Sequence, residues 1–209
     1  WATALLNAGD AQRAREVQHM DRIIVPSNYL REMVIGWGAP PERVQVILNA
    51  LEPDAQASTI SLADARAQLQ LADGPLLLTV ARLVPWKGID HLIRAIRAVP
   101  EVRLIIAGEG PDAARLRTLA ESEHVTDRIT FLGQIARERL GLYFRAADYT
   151  VLYSGYEGLS HTLLESLLAG TPVIASAKGG NPEVVRHNEN GLLVPYIDQE
   201  ALTETIRTA

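Results

Sequence analysis

From residue 74 to the end of the chain, short apolar runs alternate with segments whose apolar residues recur at helical spacing. We predict strands at the apolar runs, which are Leu76–Ala81, Val102–Ala107, Ile129–Leu132, Tyr149–Tyr153, Val173–Ala175 and Gly191–Val194. We predict helices between them at Ile89–Val99, Asp112–Glu123, Arg137–Ala147 and around Glu165. Strands that are apolar throughout indicate a parallel sheet covered on both faces. Right-handed crossovers then give an α/β fold with a doubly wound, Rossmann-like parallel sheet.

Residues 1–52 form a separate part of the chain. They contain two predicted strands, Arg22–Val25 and Val44–Leu48, on either side of a predicted helix at Asn28–Ile35. Two strands are too few for an independent α/β domain. We therefore interpret residues 1–52 as a partial second α/β unit, the carboxyl-terminal remnant of a preceding domain.

Residues 53–73 are polar and rich in alanine, and we interpret them as a linker followed by a first amphipathic helix around Ala63–Leu71. Residues 74–209 are then the ligand-binding domain. The chain begins with Trp1 and stops at Ala209 within a helical pattern. We expect it to be a fragment of a longer protein, with this second domain truncated.

Composition limits the classes of function. The 209 residues are 47% hydrophobic, carry a net charge of -5 and include no cysteine, which excludes disulfides and thiolate zinc sites and fits a reducing compartment. No apolar run approaches the roughly 18 residues of a membrane span. The first residues lack the basic and apolar regions of a signal peptide. The acidic balance argues against nucleic-acid binding.

Ligands bind open parallel sheets at the carboxyl ends of the strands. In this sequence those ends carry glycine and charge, at Arg82 and Lys87-Gly88, Gly108-Glu109-Gly110, Gly133-Gln134, Glu157-Gly158 and Lys178-Gly179-Gly180. Cations neutralise a diphosphate, and glycines let backbone N–H groups approach its oxygens. The pattern therefore predicts a ligand that bears phosphate.

Two glutamates, Glu157 and Glu165, are separated by seven residues. Glu157 lies in a glycine-containing loop and, taken alone, also fits a charge near a helix amino terminus. Glu165 lies among leucines in a helix that we expect to be buried. A buried carboxylate is costly unless it has partners, which ligand hydroxyls would provide. A buried ion pair with arginine or lysine is the alternative.

Each of the other features has a simple structural interpretation. Taken alone, Arg82 and Lys87 fit solvated loop charges, Gly133 fits a strand end, and Gly179-Gly180 fits a turn before a short helix at Pro182–Arg186.

Several familiar active sites are not supported. Gly108-x-Gly110 lacks the third glycine of a dinucleotide fingerprint, so a turn is favoured. Lys87-Gly88 lacks the upstream glycines of a P-loop, and neither Ser154 nor Ser160 lies in a G-x-S-x-G elbow. We expect His161 to form local hydrogen bonds at a helix start. No cluster of His, Asp and Glu has metal-ligand spacing.

Taken in order, these segments resemble the carboxyl-terminal donor domain of retaining glycosyltransferases of family four, which have the GT-B fold. The motifs are V-A-R-L-x-x-x-K-G, I-I-A-G-E-G-P, F-L-G, Y-E-G-L-S-x-x-L-L-E-S-L-L-A-G-T-P-V-I-A-S, G-G-N-P-E-V-V and N-G-L-L-V-P. The resemblance covers residues 74–209 nearly end to end. Residues 22–52, with I-I-V-P-S-N-Y-L and V-I-L-N-A, resemble the last units of that family's amino-terminal domain. The chain departs from the usual N-G at Asn49-Ala50 and from the usual E-G-x-G at Glu157–Ser160.

The resemblance implies a role for each matching residue. Arg82 and Lys87 would contact the donor diphosphate and stabilise the leaving group without a required metal. Glu157 would approach the hydroxyls of the donor sugar, and Glu165 would accept hydrogen bonds from the two ribose hydroxyls. The residues it assigns to donor binding are Gly133, Gln134, Gly158, Leu159, Ser160, His161, Thr162 and Glu165. Among these, backbone N–H groups at the helix start would contact sugar or phosphate, and Gly133-Gln134 would lie near the base, as would the Gly108–Gly110 turn.

The implied activity is transfer of a sugar from a UDP- or GDP-sugar to a glycan or glycolipid acceptor, with retention at the anomeric carbon and no cofactor. The implied location is the cytoplasm, or the inner face of a membrane with which the full-length protein associates peripherally. The glycine-rich loop and the histidine expected on the acceptor side have no counterpart in residues 1–52. We therefore expect these 209 residues to bind a nucleotide sugar weakly and not to transfer it.

Two other functions stay open as alternatives. The first is a nucleotide-sugar-binding module without catalysis. The second is a sugar-nucleotide 2-epimerase, which shares the GT-B fold but lacks the seven-residue spacing between Glu157 and Glu165.

Overall fold

The computed structural model describes residues 12–51 and 60–209 of the chain. The described chain forms two compact units, of which one ends at Ala50 and the other begins at Leu51. We describe each unit by itself. Of the residues predicted as a linker, 53–59 lie outside the described part.

The first unit holds two parallel strands joined by a helix. Its elements are a helix over residues 12–18 (α1), β1 (Ile23–Val25), α2 (Asn28–Gly36), a 3₁₀ turn at Pro41–Arg43 and β2 (Val44–Val46). The strands pair in parallel with Ile23 opposite Val44. Helix α2 begins where it does because the hydroxyl of Ser27 accepts a hydrogen bond from the backbone N–H of Leu30. The predicted strand, helix and second strand are all present, and the second strand is shorter than predicted.

The second unit is built on one six-stranded sheet. Its strands are β3 (Leu76–Val80), β4 (Arg103–Ala107), β5 (Ile129–Gly133), β6 (Tyr149–Leu152), β7 (Val173–Ser176) and β8 (Gly191–Val194). They are ordered β5-β4-β3-β6-β7-β8, and every pairing is parallel. This order reverses between β3 and β6. The predicted doubly wound parallel sheet is confirmed.

Helices cover both faces of this sheet. They are α3 (Leu62–Gln68), α4 (Ile89–Ala98), α5 (Ala113–Ser122), α6 (Arg137–Ala146), α7 (His161–Leu168), α8 (Asn181–Val184) and α9 (Gln199–Thr208). Successive residues of a strand face opposite sides. Leu77 accordingly packs in a cluster with α4, α5 and α9, whereas Leu76 and Leu78 pack on the other face with Phe144 of α6. Apolar residues at successive strand positions are needed because both faces are covered.

Helix α4 shows how the pattern fixes packing. Ile89, Leu92, Ile93 and Ile96 recur at helical spacing, and all four are fully buried against the sheet. Each contributes about 1.5–3 kcal/mol to folding by leaving water. Leu92→Ala, for example, would remove about 2–5 kcal/mol because a cavity would remain.

Two predicted helices end two or more residues away from their predicted bounds in the structure. The helix predicted at Ala63–Leu71 ends at Gln68, since Gln70 has a left-handed backbone conformation with φ of 54°. The short helix predicted at Pro182–Arg186 spans Asn181–Val184. It stops because Val185 is extended and the backbone N–H of Arg186 donates to the side chain of Asn190.

Helix α3 belongs to the second unit. The guanidinium of Arg66, which is buried, donates to the carboxylate of Asp148 at 2.8 Å and to the carbonyl of Ala146 at 2.9 Å. The same carboxylate accepts the backbone N–H of Leu76. Residues 62–68 are therefore held at the amino ends of β3 and β6. No helix within the described ranges has the length and apolar character needed to cross a membrane.

Candidate functional site

The reversal of strand order creates a crevice between β3 and β6. The chain leaves β3 toward β4 on one side, and it leaves β6 toward β7 on the other. The loops after these two strands therefore diverge at the carboxyl edge of the sheet, which is where open α/β sheets bind ligands. Residues 81–88 form the first loop and residues 153–160 the second.

The two loops carry an ion pair at this point. The ammonium group of Lys87 lies 2.5 Å from Oε1 of Glu157, with side chains that are only 18% and 12% exposed. Lys87 closes a 3₁₀ turn, Pro85–Lys87, so its backbone is fixed before α4 begins. An ammonium group has three donors. One bond to Glu157 thus leaves two donors for a ligand.

Close backbone packing holds both loops. Gly88 has φ of 63°, and a Cβ built on it would lie 2.1 Å from the carbonyl oxygen of Tyr153. A Cβ on Gly180 would lie 1.9 Å from the carbonyl oxygen of Gly158. The backbone N–H of Gly180 donates to the carbonyl of Glu157 at 2.9 Å. The turn at Gly179-Gly180 is therefore also a support for the loop that carries Glu157, because only glycine permits this approach.

A cleft of about 470 Å³ lies at the same edge of the sheet. Its lining includes Arg82, Gly108, Glu109, Gln134, Leu140 and Thr162. It thus brings together three residues predicted from the sequence, which are Arg82, Gln134 and Thr162. A larger hollow of about 800 Å³ lies along α9 and contains none of the predicted site residues.

Arg82 is the cation of this cleft. Its side chain is exposed, and within the described residues it forms neither an ion pair nor a hydrogen bond. Lys87 follows five positions later on the same loop. The loop after β3 therefore presents one paired and one unpaired cation.

The turn after β4 packs directly on this loop. Gly108 has φ of 133°, and a Cβ on it would lie 1.9 Å from the carbonyl oxygen of Ala81. Its N–H donates to the carbonyl of Gly133 at 2.7 Å, and the N–H of Leu83 donates to the carbonyl of Glu109 at 2.9 Å. These glycines permit close approach of the strand-end backbones, in agreement with the interpretation of Gly108-x-Gly110 as a turn.

Asp112, which precedes α5, forms a hydrogen bond with the loop after β3. Its backbone N–H donates to the carbonyl of Leu83 at 3.1 Å, and its carboxylate accepts two hydrogen bonds from the guanidinium of Arg115 at 2.6 and 2.7 Å. The hydrogen bonds from Arg115 lower the pKa of Asp112 below its usual range. The carboxylate therefore stays ionised in the folded protein at neutral pH.

Helix α7 begins beside the cleft. Ser160 caps it, with a hydroxyl that accepts the backbone N–H of Leu163 at 3.4 Å, and the hydroxyl of Thr162 donates to the carbonyl of Val80 at 3.3 Å. Leu159 is buried. His161 is exposed and its side chain forms no hydrogen bond within the described part of the chain, so the expectation of local hydrogen bonding there is wrong.

Glu165 is half-buried, and the expectation that it is buried is wrong. Leu163 and Ser166 of α7 are fully buried against the sheet. A helix turns by about 100° per residue, so Glu165 lies at the border of the buried face. No residue in the described ranges pairs with its carboxylate, which removes the alternative of an ion pair among them.

The chain contains two lysines, Lys87 and Lys178, and both follow strands at the carboxyl edge of the sheet. Lys178 comes after β7 and is exposed. No group of three metal-ligating side chains occurs within the ranges that the structure describes.

Comparisons with known proteins agree with this architecture. Residues 63–209 match the family described as glycosyl transferases group 1. The chain is 32% identical over 186 residues to the GDP-mannose-dependent alpha-(1-6)-phosphatidylinositol monomannoside mannosyltransferase of Mycobacterium tuberculosis, across 83% of this chain and 48% of that protein.

Two solved structures are similar over most of the chain. Sucrose-phosphate synthase from Thermosynechococcus elongatus superimposes with a TM-score of 0.86 at 33% identity, over 93% of this chain and 50% of that one. Anabaena HepE in complex with UDP and glucose superimposes with a TM-score of 0.82 at 27% identity, over 90% of this chain and 53% of that one. The chain thus spans about half the length of these proteins.

The parallel six-stranded sheet with its site at the strand reversal is the Rossmann-like half of a GT-B protein. The chain belongs to the glycosyl transferases group 1 family.

Proposed function

We propose that the protein transfers a sugar from a UDP- or GDP-sugar to a glycan or glycolipid acceptor, with retention at the anomeric carbon. Residues 74–209 would form the donor-binding domain. The observation that carries this proposal is Arg82, an exposed cation without a partner among the described residues, in a cleft at the carboxyl edge of a parallel sheet. A guanidinium in that setting suits a phosphate group.

The diphosphate of the donor would lie between Arg82 and Lys87. Both cations belong to one loop, which is anchored on the turn after β4 by the hydrogen bond from Leu83 to Glu109. Lys87 can contact a phosphate oxygen without leaving Glu157, because its ammonium group has two further donors. The two positive charges would then stabilise the nucleoside diphosphate as it leaves.

Glu157 would bind the donor sugar. Oε1 accepts from Lys87, which leaves Oε2 to accept from a sugar hydroxyl. The carbonyl of Glu157 is fixed by Gly180, so the carboxylate starts from a defined backbone position. This arrangement would hold the sugar beside the cation that contacts the leaving phosphate.

The nucleoside would occupy the rest of the site. Gln134 and Glu109 line the cleft at the ends of β5 and β4, where the base would lie. Glu165, half-buried and without a partner in the described part of the chain, would accept hydrogen bonds from the ribose hydroxyls. In the first turn of α7 the N–H of Leu163 is bonded to Ser160, and those of His161 and Thr162 have no partner within the helix, which favours sugar or phosphate oxygens there.

In the reaction, the bond between the anomeric carbon and the diphosphate oxygen breaks while an acceptor hydroxyl attacks from the same face. The hydroxyl proton passes to the departing phosphate oxygen. Arg82 and Lys87 would supply the electrostatic stabilisation of the diphosphate that this step needs. Attack from that face retains the anomeric configuration.

The names of the relatives support the choice of donor and acceptor. HepE was solved with UDP and glucose, and the mycobacterial protein is named as a GDP-mannose-dependent enzyme that acts on a phosphatidylinositol mannoside. Both names include a nucleoside diphosphate, and its negative charges match a site with two cations.

A thermal-shift panel of UDP, GDP, ADP and their sugars tests the donor site. Ligand at about 100 times its dissociation constant adds about 2.7 kcal/mol to the free energy of unfolding. We expect a shift with UDP or GDP that Arg82→Ala abolishes. Arg186→Ala is the matched control, because Arg186 is exposed in the same unit and pairs with Glu189. A nucleotide shift retained by Arg82→Ala, or no shift with any nucleotide, would contradict the proposal.

A variant of the full-length protein distinguishes an enzyme that transfers sugar from a protein that only binds nucleotide sugars. We expect Glu157→Ala to abolish sugar transfer while UDP or GDP affinity falls by no more than about tenfold, because Glu157 would contact the sugar directly and the nucleotide only through its pairing with Lys87. A full-length wild-type protein that binds nucleotide sugars but transfers none would instead identify a binding module.

A further inference from the structure

Three buried polar side chains lie next to the two loops that carry Lys87 and Glu157. They are Ser154 after β6, Ser176 at the end of β7 and Asn181 at the start of α8, each with no exposed surface. Buried polar groups of this kind are costly unless they form hydrogen bonds.

The hydroxyl of Ser154 reaches the backbone of both loops that carry the ion pair. Its oxygen lies 3.0 Å from the carbonyl oxygen of Tyr156 and 3.3 Å from that of Trp86. The first carbonyl belongs to the peptide that precedes Glu157, and the second belongs to the peptide that precedes Lys87. A hydroxyl has one proton, which it donates to either carbonyl, and the N–H of Gly155 also donates to Trp86 at 2.7 Å.

Ser154 is in turn held from the next strand. The hydroxyl of Ser176 donates to the carbonyl of Ser154 at 2.5 Å. The side-chain amide of Asn181 donates to both the hydroxyl and the carbonyl of Ser176 at 3.1 Å. Because a carbonyl can only accept, these contacts fix the amide orientation, even though Oδ1 of Asn181 is then buried without a partner in the described chain.

We propose that Ser154, supported by Ser176 and Asn181, is a positioning residue that sets the ion pair between Lys87 and Glu157. Its hydroxyl lies between the two peptides from which these side chains extend and donates its proton to one of them at a time, and it touches neither side chain. Asn181 orients the hydroxyl of Ser176, and Ser176 fixes the backbone of Ser154 through its carbonyl, so the three residues act as one support. The consequence for diphosphate binding rests on the function proposed above, whereas the consequence for the ion pair does not.

Ser166 provides a matched control. It is as buried as Ser154, and its hydroxyl also lies within hydrogen-bond distance of two groups, the hydroxyl of Thr150 at 2.8 Å and the carbonyl of Thr171 at 3.0 Å. Neither partner belongs to the loops that carry Lys87 and Glu157. Ser154→Ala and Ser166→Ala therefore each remove one fully buried hydroxyl oxygen. The two variants differ in the groups that this oxygen contacts.

The two lysines of the chain make a direct measurement possible. Protein with ¹³C,¹⁵N-labelled lysine gives two side-chain ammonium signals, which Lys178→Arg assigns. We expect Ser154→Ala to move the Lys87 signal toward that of the exposed Lys178, and Ser166→Ala to leave it unchanged. Ser176→Ala should move it in the same direction by less, and it serves as the test if Ser154→Ala does not fold.

A ligand measurement completes the test. We expect Ser154→Ala to lower the ratio of UDP to UMP affinity, or of GDP to GMP affinity, about tenfold, the loss expected for a misplaced charged hydrogen bond. A general loss of structure would weaken both nucleotides equally. A Lys87 signal that stays in place in Ser154→Ala, or that moves equally in Ser166→Ala, would overturn the inference. If wild-type protein binds neither diphosphate, the proposed function fails, and the lysine signals still decide the role of Ser154.

Discussion

Lys87 and Glu157, which are 70 residues apart in sequence, meet at 2.5 Å across the point where the strand order reverses. Each comes from a different half of the doubly wound sheet, so the pair joins the two halves at their carboxyl edge. In the proposed reaction, this places the cation for the leaving phosphate directly against the acid for the sugar.

The strength of this pair can be measured by a double-mutant cycle in urea unfolding. Lys87→Met or Glu157→Gln leaves one partly buried group without its partner, so each should lower the free energy of unfolding by about 1–3 kcal/mol. The double variant should lose about 1 kcal/mol less than the sum. The control is the pair of Arg207 and Glu204, whose side chains are about half exposed and should couple by less than about 0.5 kcal/mol. Additive losses for Lys87 and Glu157 would show that the pair contributes nothing to stability.

From the position of Glu165 we predict that the protein distinguishes a ribonucleotide from its 2′-deoxy form. Wild-type protein should bind the better diphosphate, UDP or GDP, more tightly than its 2′-deoxy form, whereas Glu165→Ala should bind the two forms equally. Because Glu165 has no partner among the described residues, its removal should change stability by less than about 0.5 kcal/mol. Isothermal titration gives the affinities. A variant that still prefers the ribonucleotide would assign that preference to another residue.

Gly180 is predicted to tolerate no side chain. Since a Cβ there would lie 1.9 Å from the carbonyl oxygen of Gly158, Gly180→Ala must displace the loop of Glu157. We expect a loss of about 2 kcal/mol or more in thermal unfolding, together with weaker nucleotide-sugar binding. Gly36→Ala is the control, because a Cβ at the end of α2 would meet no atom within 4 Å. That change should be neutral or stabilise by up to about 1 kcal/mol. Equal effects of the two changes would contradict the packing argument.

From the ion pair of Asp112 and Arg115 we predict that the free energy of unfolding depends on pH. The pKa of Asp112 is lowered from its usual value of 3.8 in the folded protein, so its contribution is fully present above that value and is lost as the pH falls below it. Asp112→Asn should therefore cost about 1 kcal/mol at pH 7, and the difference from wild type should shrink toward pH 3. Urea unfolding at pH 7, 5 and 3 measures it. A difference that stays constant or grows on acidification would contradict the assignment.

The strands could be predicted because a short run of consecutive apolar residues is best buried as a strand in a sheet that is covered on both faces. The start of α4 after Gly88 and the positions of Arg82 and Lys87 at a strand end followed from the same pattern. Contacts between distant residues did not follow from it. The pairing of Lys87 with Glu157 depends on which strands are neighbours, and no local signal in the sequence gives that order.

Glu165 shows a second limit. Its apolar neighbours made the helix appear buried all around, whereas only the face of Leu163 and Ser166 is covered fully. The close approach of Gly180 to Gly158 could not be predicted from the sequence either. A pair of glycines predicts a turn, but it does not identify the backbone that packs against that turn.

The location of both lysines has a practical consequence for the laboratory. Reagents that attack side-chain amines will modify this protein at the proposed donor edge and nowhere else along its side chains, with Lys178 more accessible than Lys87. Coupling through these lysine amines to a sensor chip would turn the proposed donor edge toward the matrix and obscure binding. A single cysteine introduced at the exposed Arg186, in a chain that has no other thiol, would orient the protein by design.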